Sequence, residues 1–137
     1  MSVQGKDHTP IVFMEVVSWG QRGFVTDWYE KELELEAQEE FDGTLTILAA
    51  TPRADWDRPP FSPLANGICE IRFFANGKQY RPLGWDGPEK NQFTILVGAY
   101  KKARTWKPPD ARKIAEKRRT EVLNGIRKVR PYDQYKF

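Results

Sequence analysis

The stretch ICEIRFFANGKQYRPLGW, residues 68–85, decides the fold. Two runs rich in β-branched and aromatic residues, 68–74 and 78–85, flank Asn76-Gly77, the residue pair that most favours a two-residue hairpin turn. Alternation along the first run puts Glu70, Arg72 and Phe74 on one face and Ile71 and Phe73 on the other. On the second run Gln79 and Arg81 share a face opposite Tyr80 and Pro82. Arg72 and Arg81 therefore converge on one surface if the hairpin register brings those two faces to the same side.

Downstream, Asp86-Gly87-Pro88 makes a turn, and FTILVGAY, residues 93–100, is the most apolar strand and the expected centre of the sheet. Three consecutive antiparallel strands are predicted. Upstream, IVFMEVVSW, residues 11–19, reads as a strand ended by Gly20 and Gly23. A helix is then expected from Asp27, with Glu30 at capping-box spacing. Tyr29, Leu33, Ala37 and Phe41 give it an apolar stripe, although the alternation over residues 32–36 also suits a strand. Residues 44–50 fit either a short helix or a strand. Residues 51–67, with four prolines, read as an extended linker closed by Asn66-Gly67.

The last helix is expected to start near Asp110 as N-cap. Its inner face is read as Ile114, Arg118, Val122 and Ile126 with Ala115 and Leu123, the aliphatic stem of Arg118 covering apolar surface. Arg112, Lys113, Lys117 and Arg119 fan around the rest. This order predicts one α+β domain over residues 1–137, with a flexible arm at 1–10 and an irregular tail at 128–137. Its small, mainly antiparallel sheet is expected to have N-terminal helices and a basic C-terminal helix on its apolar face. The other face is expected to stay open.

Charge is distributed unevenly. Residues 101–137 carry thirteen Lys/Arg against four Asp/Glu, a net +9, whereas residues 1–100 carry nine against fifteen, a net −6. A basic lobe of this kind implies a polyanionic partner, most commonly a phosphate backbone. Cys69 is the only cysteine, so no intramolecular disulfide forms, and no CxxC or Cys/His cluster is present to hold zinc. These features suit a reducing cytoplasm. No apolar run reaches the roughly 18 residues a bilayer span needs, and the N-terminus lacks a signal-peptide core, so neither export nor membrane insertion is expected.

Arg72, Arg81, Lys101 and Lys102 suit phosphodiester chemistry. Guanidinium groups grip phosphate bidentately and stabilise added negative charge, while a lysine supplies a compact cation. RNA carries its own nucleophile in the 2′-hydroxyl, so cleavage requires neither metal nor cofactor. Trp56 and Trp85 are expected to pack; Trp106, followed by Lys107, is expected to be more exposed and able to stack on a base. Tyr80 and Tyr100 are expected to pack. His8 lies in the arm, away from any site. Asp55 and Asp57 are poorly placed for a glycosidase pair, and no P-loop, GxGxxG or GxSxG occurs.

With these residues in view, the chain resembles the phage-derived Gp49-like, HigB-like branch of the RelE/ParE toxin superfamily. The resemblance rests on Glu70-Ile71-Arg72-Phe73, Gly77, Tyr80-Arg81, residues 96–100, Lys101-Lys102, Pro108-Pro109 and the basic run 111–119, in that order. It implies a compact RelE-like fold and a metal-independent endoribonuclease that cleaves mRNA, typically on the ribosome, and is neutralised by a cognate antitoxin. On it, Arg72 and Arg81 hold the scissile phosphate, Lys101 or Lys102 binds backbone or assists proton transfer, and Trp106, Lys107, Arg112, Lys113, Lys117 and Arg119 meet RNA. Gly98-Ala99 stands where this branch often has a histidine, and no C-terminal tyrosine aligns, although Tyr132 and Tyr135 are within reach if the tail folds back. The general base is unassigned. A non-catalytic RNA or ribosome binder and a ParE-like gyrase inhibitor are the alternatives.

Overall fold

The structure, a computed structural model, describes residues 9–133 and 135. Strand β1 (Val12–Val16) is followed by helices α1 (Phe24–Glu32) and α2 (Leu35–Ala49), a 3-10 turn (Arg53–Asp55) and β2 (Phe61–Pro63). Next come β3 (Cys69–Ile71), β4 (Phe73–Ala75), β5 (Lys78–Tyr80), β6 (Leu83–Asp86), β7 (Gln92–Val97), β8 (Tyr100–Lys102) and β9 (Thr105–Lys107). Helix α3 (Ala111–Leu123) and β10 (Val129–Pro131) complete the order, giving an α+β architecture.

The strands form two sheets, ordered β10-β1-β7-β6-β3-β2 and β4-β5-β8-β9. Only β1 and β7 pair in parallel among the described strands. Each of the three strands expected from the sequence is split across both sheets. The crease runs through Arg72, Arg81-Pro82 and Gly98-Ala99. Pro82 has no N–H to give a ladder and so interrupts regular pairing, and at Gly98, where a Cβ would lie 2.1 Å from the ring of Trp28, only glycine lets the backbone pass so close to that indole. Ile71 still donates to the Pro82 carbonyl at 3.0 Å and Arg81 to that of Ala99 at 2.8 Å, which carries hydrogen bonding through the crease. The Asn76-Gly77 turn forms as expected, both residues having positive φ (53° and 74°) between Ala75 and its partner Lys78.

Two cores flank the first sheet. Phe13, Ile71, Phe93 and Ile95 meet Trp28, Leu33, Ala37, Phe41 and Leu45 of the N-terminal helical region. On the other side Val16, Ile68, Leu83 and Leu96 meet Ala111 and Ala115 of α3. The expectation of an open second face is thus corrected: α3 covers that face over β6 and β7, and it is uncovered only where it continues into the second sheet. Two alanines let the helix approach closely. Arg118 lays its guanidinium 3.6 Å above the Phe24 ring and donates to the Leu96 carbonyl at 2.8 Å, and burial pushes its pKa down to about 10. Leu123 and Ile126, read as inward, are exposed because α3 ends at Leu123.

Several local expectations change. The apolar stripe is right, but it runs over two helices broken at Leu33-Glu34, and α2 absorbs residues 44–49. Asp27 lies inside α1 and pairs with Arg22 and Lys31 instead of capping it. Buried Glu15 does that work from β1, accepting from Thr26 N and Oγ1 at 2.8 Å each and from Arg130 Nε at 3.1 Å. Asp110 stands at the N-cap of α3 without a side-chain capping bond. The 51–67 segment is not only a linker, since Trp56 and Phe61 are buried and β2 pairs with β3. Residues 128–137 are not simply irregular either: β10 pairs with β1, Met14 opposite Pro131 and Val16 opposite Val129.

Burial holds the phenols of Tyr29, Tyr80, Tyr132 and Tyr135 protonated above the ordinary range. As pH rises through about 10 the unfolded chain sheds phenol protons that the folded chain retains, so stability falls with pH there. Native protein should develop phenolate absorbance at a higher pH than urea-unfolded protein, with the urea midpoint falling over the same interval. Coincident titration curves would contradict this.

Candidate functional site

The uncovered face belongs to the second sheet. Phe74, Gln79, Lys101 and Trp106 stand opposite one another in four neighbouring strands, and directly opposed residues project to the same side. Phe73, Tyr80 and Tyr100 form the adjacent row and point the other way, into the first core, with Tyr80 stacked on Phe73 at 4.9 Å. Both tyrosines are packing residues, as expected.

At the crease this row meets the two arginines. Glu70, opposite Leu83 and only 3% exposed, lies beneath them. Its Oε1 is 3.3 Å from Arg81 Nη1 and 3.8 Å from Arg72 Nε. Arg72 Nε also donates to the Pro59 carbonyl at 2.9 Å, and Arg81 Nη2 to Gln79 Oε1 at 2.5 Å. Arg72 and Arg81 therefore do converge, on a buried carboxylate that holds their guanidiniums at the end of the open face. Glu70 Oε2 and Arg81 Nε are buried with no hydrogen-bond partner among the described residues. A third guanidinium stands close by: Arg58 Nη2 is 3.3 Å from Ser62 Oγ, and Ser62 pairs with Glu70. Sequence reading passed over Arg58 because it sits in the proline-rich segment, where no periodicity assigns a face.

The remaining candidates separate. Lys101 lies on the arginine side with its ammonium 4.8 Å from the Trp106 ring. Lys102, opposite Thr105, and Lys107, opposite Tyr100, belong to the other side. Lys107 lines a cleft of about 470 Å³ with Asp27, Lys31 and Arg118. Trp106 is less free than expected, half-buried against the α3 core and covered by Lys101. On α3, Lys113 and Lys117 are exposed, while Arg112 and Arg119 are half-buried. Arg119 Nη1 donates to the Asn66 carbonyl at 2.5 Å, and Asn66 Nδ2 donates to Glu116 at 3.2 Å, which ties α3 to the turn before β3.

Neither C-terminal tyrosine supplies a base to this group. Tyr132 and Tyr135 are buried with Phe13 in the first core, next to β10 and β1 and at the opposite edge of the sheet from β3. Cys69 is buried, its thiol pushed up to about 11 by that burial. His8 lies outside the described residues. Among the described residues no His/Cys/Asp/Glu group is placed to hold a metal ion, and no helix is long and apolar enough to cross a membrane. No family model, curated protein or solved structure matches this chain.

Proposed function

We propose that this chain is an RNA-binding endoribonuclease of the RelE-like kind, acting on mRNA at the ribosome in the cytoplasm and held in check by an antitoxin. The observation that carries this reading is the meeting of Arg72 and Arg81 over Glu70 at the end of a sheet face that also presents Lys101. The two guanidiniums bind the scissile phosphate and stabilise its added charge as the RNA 2′-oxygen attacks phosphorus. The 2′-hydroxyl proton passes to solvent water as the new P–O bond forms, the bond to the 5′-oxygen breaks, and that oxygen takes a proton from water, leaving a 2′,3′-cyclic phosphate and a 5′-hydroxyl. Lys101 adds positive charge beside the leaving oxygen. Glu70 is a positioning residue that orients both arginines, and Lys113 and Lys117 on the exposed side of α3 meet ribosomal RNA.

Purified protein added to a translating extract should cut mRNA within codons. Arg81→Ala should slow cutting about 10²–10³-fold, the loss typical of removing one donor to a developing anion. Intact mRNA with the wild-type protein would sink the proposal. A second reading, a non-catalytic RNA binder, is favoured by two observations: Glu70 already offsets one of the two arginine charges, and the buried tyrosines of the tail lie at the other edge of the sheet. It predicts salt-sensitive RNA association without strand scission.

A further inference from the structure

We infer that the cavity beside Arg72 is a nucleobase subsite, with Phe74 as the stacking platform and Gln79 reading the edge of one unpaired base. The inference rests on the RNA-binding reading above and adds to it a site and its ligand. Phe74 is 63% exposed on the outer face of β4, so its ring is open to a ligand. Beside it lies a cavity of about 290 Å³ lined by Pro59, Pro60, Arg72, Phe73, Phe74 and Gln79. The lining is apolar except for one guanidinium and one amide. That combination suits a planar, weakly polar ring attached to an anion, which describes a nucleotide.

The polar contact has a defined sense. Arg81 Nη2 bonds the Gln79 amide at 2.5 Å, and a guanidinium has only donors, so the amide oxygen faces Arg81. The amide nitrogen is left to donate towards an acceptor on a base edge. Arg72 belongs both to this cavity and to the arginine pair on Glu70. Arg72 and Phe74 are two residues apart in the chain and both line this cavity. That spacing lets a phosphate sit on Arg72 while its own base lies on Phe74. Charge separates this occupant from an apolar peptide segment: the cavity opens beside Arg72 and Arg81, with Lys101 in the same row as Phe74 and Gln79.

The test compares two 5′-labelled 2′-fluoro RNA decamers, uncleavable because the nucleophile is absent, one of uridines and one abasic with the same phosphates. Fluorescence anisotropy should show wild type binding the base-bearing strand about tenfold more tightly than the abasic one, the lower part of the range for one stacked base. Phe74→Ala should erase that difference without changing affinity for the abasic strand, and Phe74→Tyr should keep it. Equal, salt-dependent affinity of wild type for both strands would overturn the subsite while leaving the RNA-binding reading intact. So would a Phe74→Ala protein that still prefers the base-bearing strand, or one that loses both strands equally. Failure of wild type to bind either strand would overturn the RNA-binding reading, and the subsite with it.

Discussion

Glu70→Ala is expected to cost about 3–5 kcal/mol of folding stability, the range for removing one partner of a buried ion pair. The loss should fall near the low end, because the Arg72 and Arg81 side chains are 21% and 19% exposed and can turn partly towards water. Two guanidiniums would otherwise face each other across the vacated volume. Glu70→Gln keeps the shape and an accepting oxygen but removes the charge, so it should cost less, about 1.5–3 kcal/mol. Urea denaturation measures both as midpoint shifts at constant slope. The same substitution has a second expected effect of opposite sign: Glu70→Gln should bind an RNA oligonucleotide more tightly than wild type, since the arginines lose the anion that competes with phosphate. A stability loss below about 1 kcal/mol for Glu70→Ala, or weaker RNA binding by a folded Glu70→Gln protein, would show that the carboxylate is not the counter-ion of this pair.

Phe41→Ala is expected to be comparably severe, about 3–5 kcal/mol, on different grounds. Phe41 is fully buried, and its ring lies 5.4 Å from Trp28, 5.5 Å from Phe73, 5.8 Å from Tyr132 and 6.2 Å from Tyr29. One side chain therefore joins α1, α2, the second sheet and the segment after β10. Rigid aromatic neighbours collapse poorly into a void, so the cavity contribution should be large. The measured midpoint should fall while RNA affinity of the folded fraction is unchanged, because Phe41 lies on the core side of the sheet. A loss under about 1 kcal/mol would mean that the site relaxes far more than this packing allows.

How much of this was legible in the sequence depends on the range of the interaction involved. The turn at Asn76-Gly77 and the stripe Tyr29, Leu33, Ala37, Phe41 are local signals, and both stand in the structure. The break at Leu33-Glu34 has no glycine or proline to announce it; packing of Leu33 into the core decides it. Thr44 to Ala49 is helical because Leu45 and Leu48 continue the stripe, a continuity that a seven-residue window conceals. The crease was hidden because residues 68–74 contain no proline or glycine, while Pro82, which cannot donate to a ladder, stands on the neighbouring strand. Likewise, Glu15 capping α1 and Arg130 joining it from β10 are contacts across 11 and 115 residues, which spacing does not register.

The candidate site divides in the same way. Parity along the second strand placed Gln79 and Arg81 together but left the side of Arg72 open, which the hairpin register then fixed. Parity also put Glu70 beside Arg72, but it carried no information on burial, because that depends on Ser62, Arg81 and Leu83 being brought against Glu70 from other strands. The split of Lys101 from Lys102 follows from strand alternation once β8 is known to continue through both. Composition had summed them into one basic segment.

The position of β1 in the first sheet bears on the rate of folding. Val12 takes Gln92 as its neighbour and Met14 takes Pro131, so an early strand finds its two partners about 80 and more than 100 residues further along the chain. Closing loops of that length costs entropy before any ladder is formed, whereas the β4–β5 hairpin and a single helix assemble on microsecond timescales. The slow event is therefore the search by which β1 enters between β7 and β10, and the hairpin that presents Phe74 and Gln79 can take shape well before it.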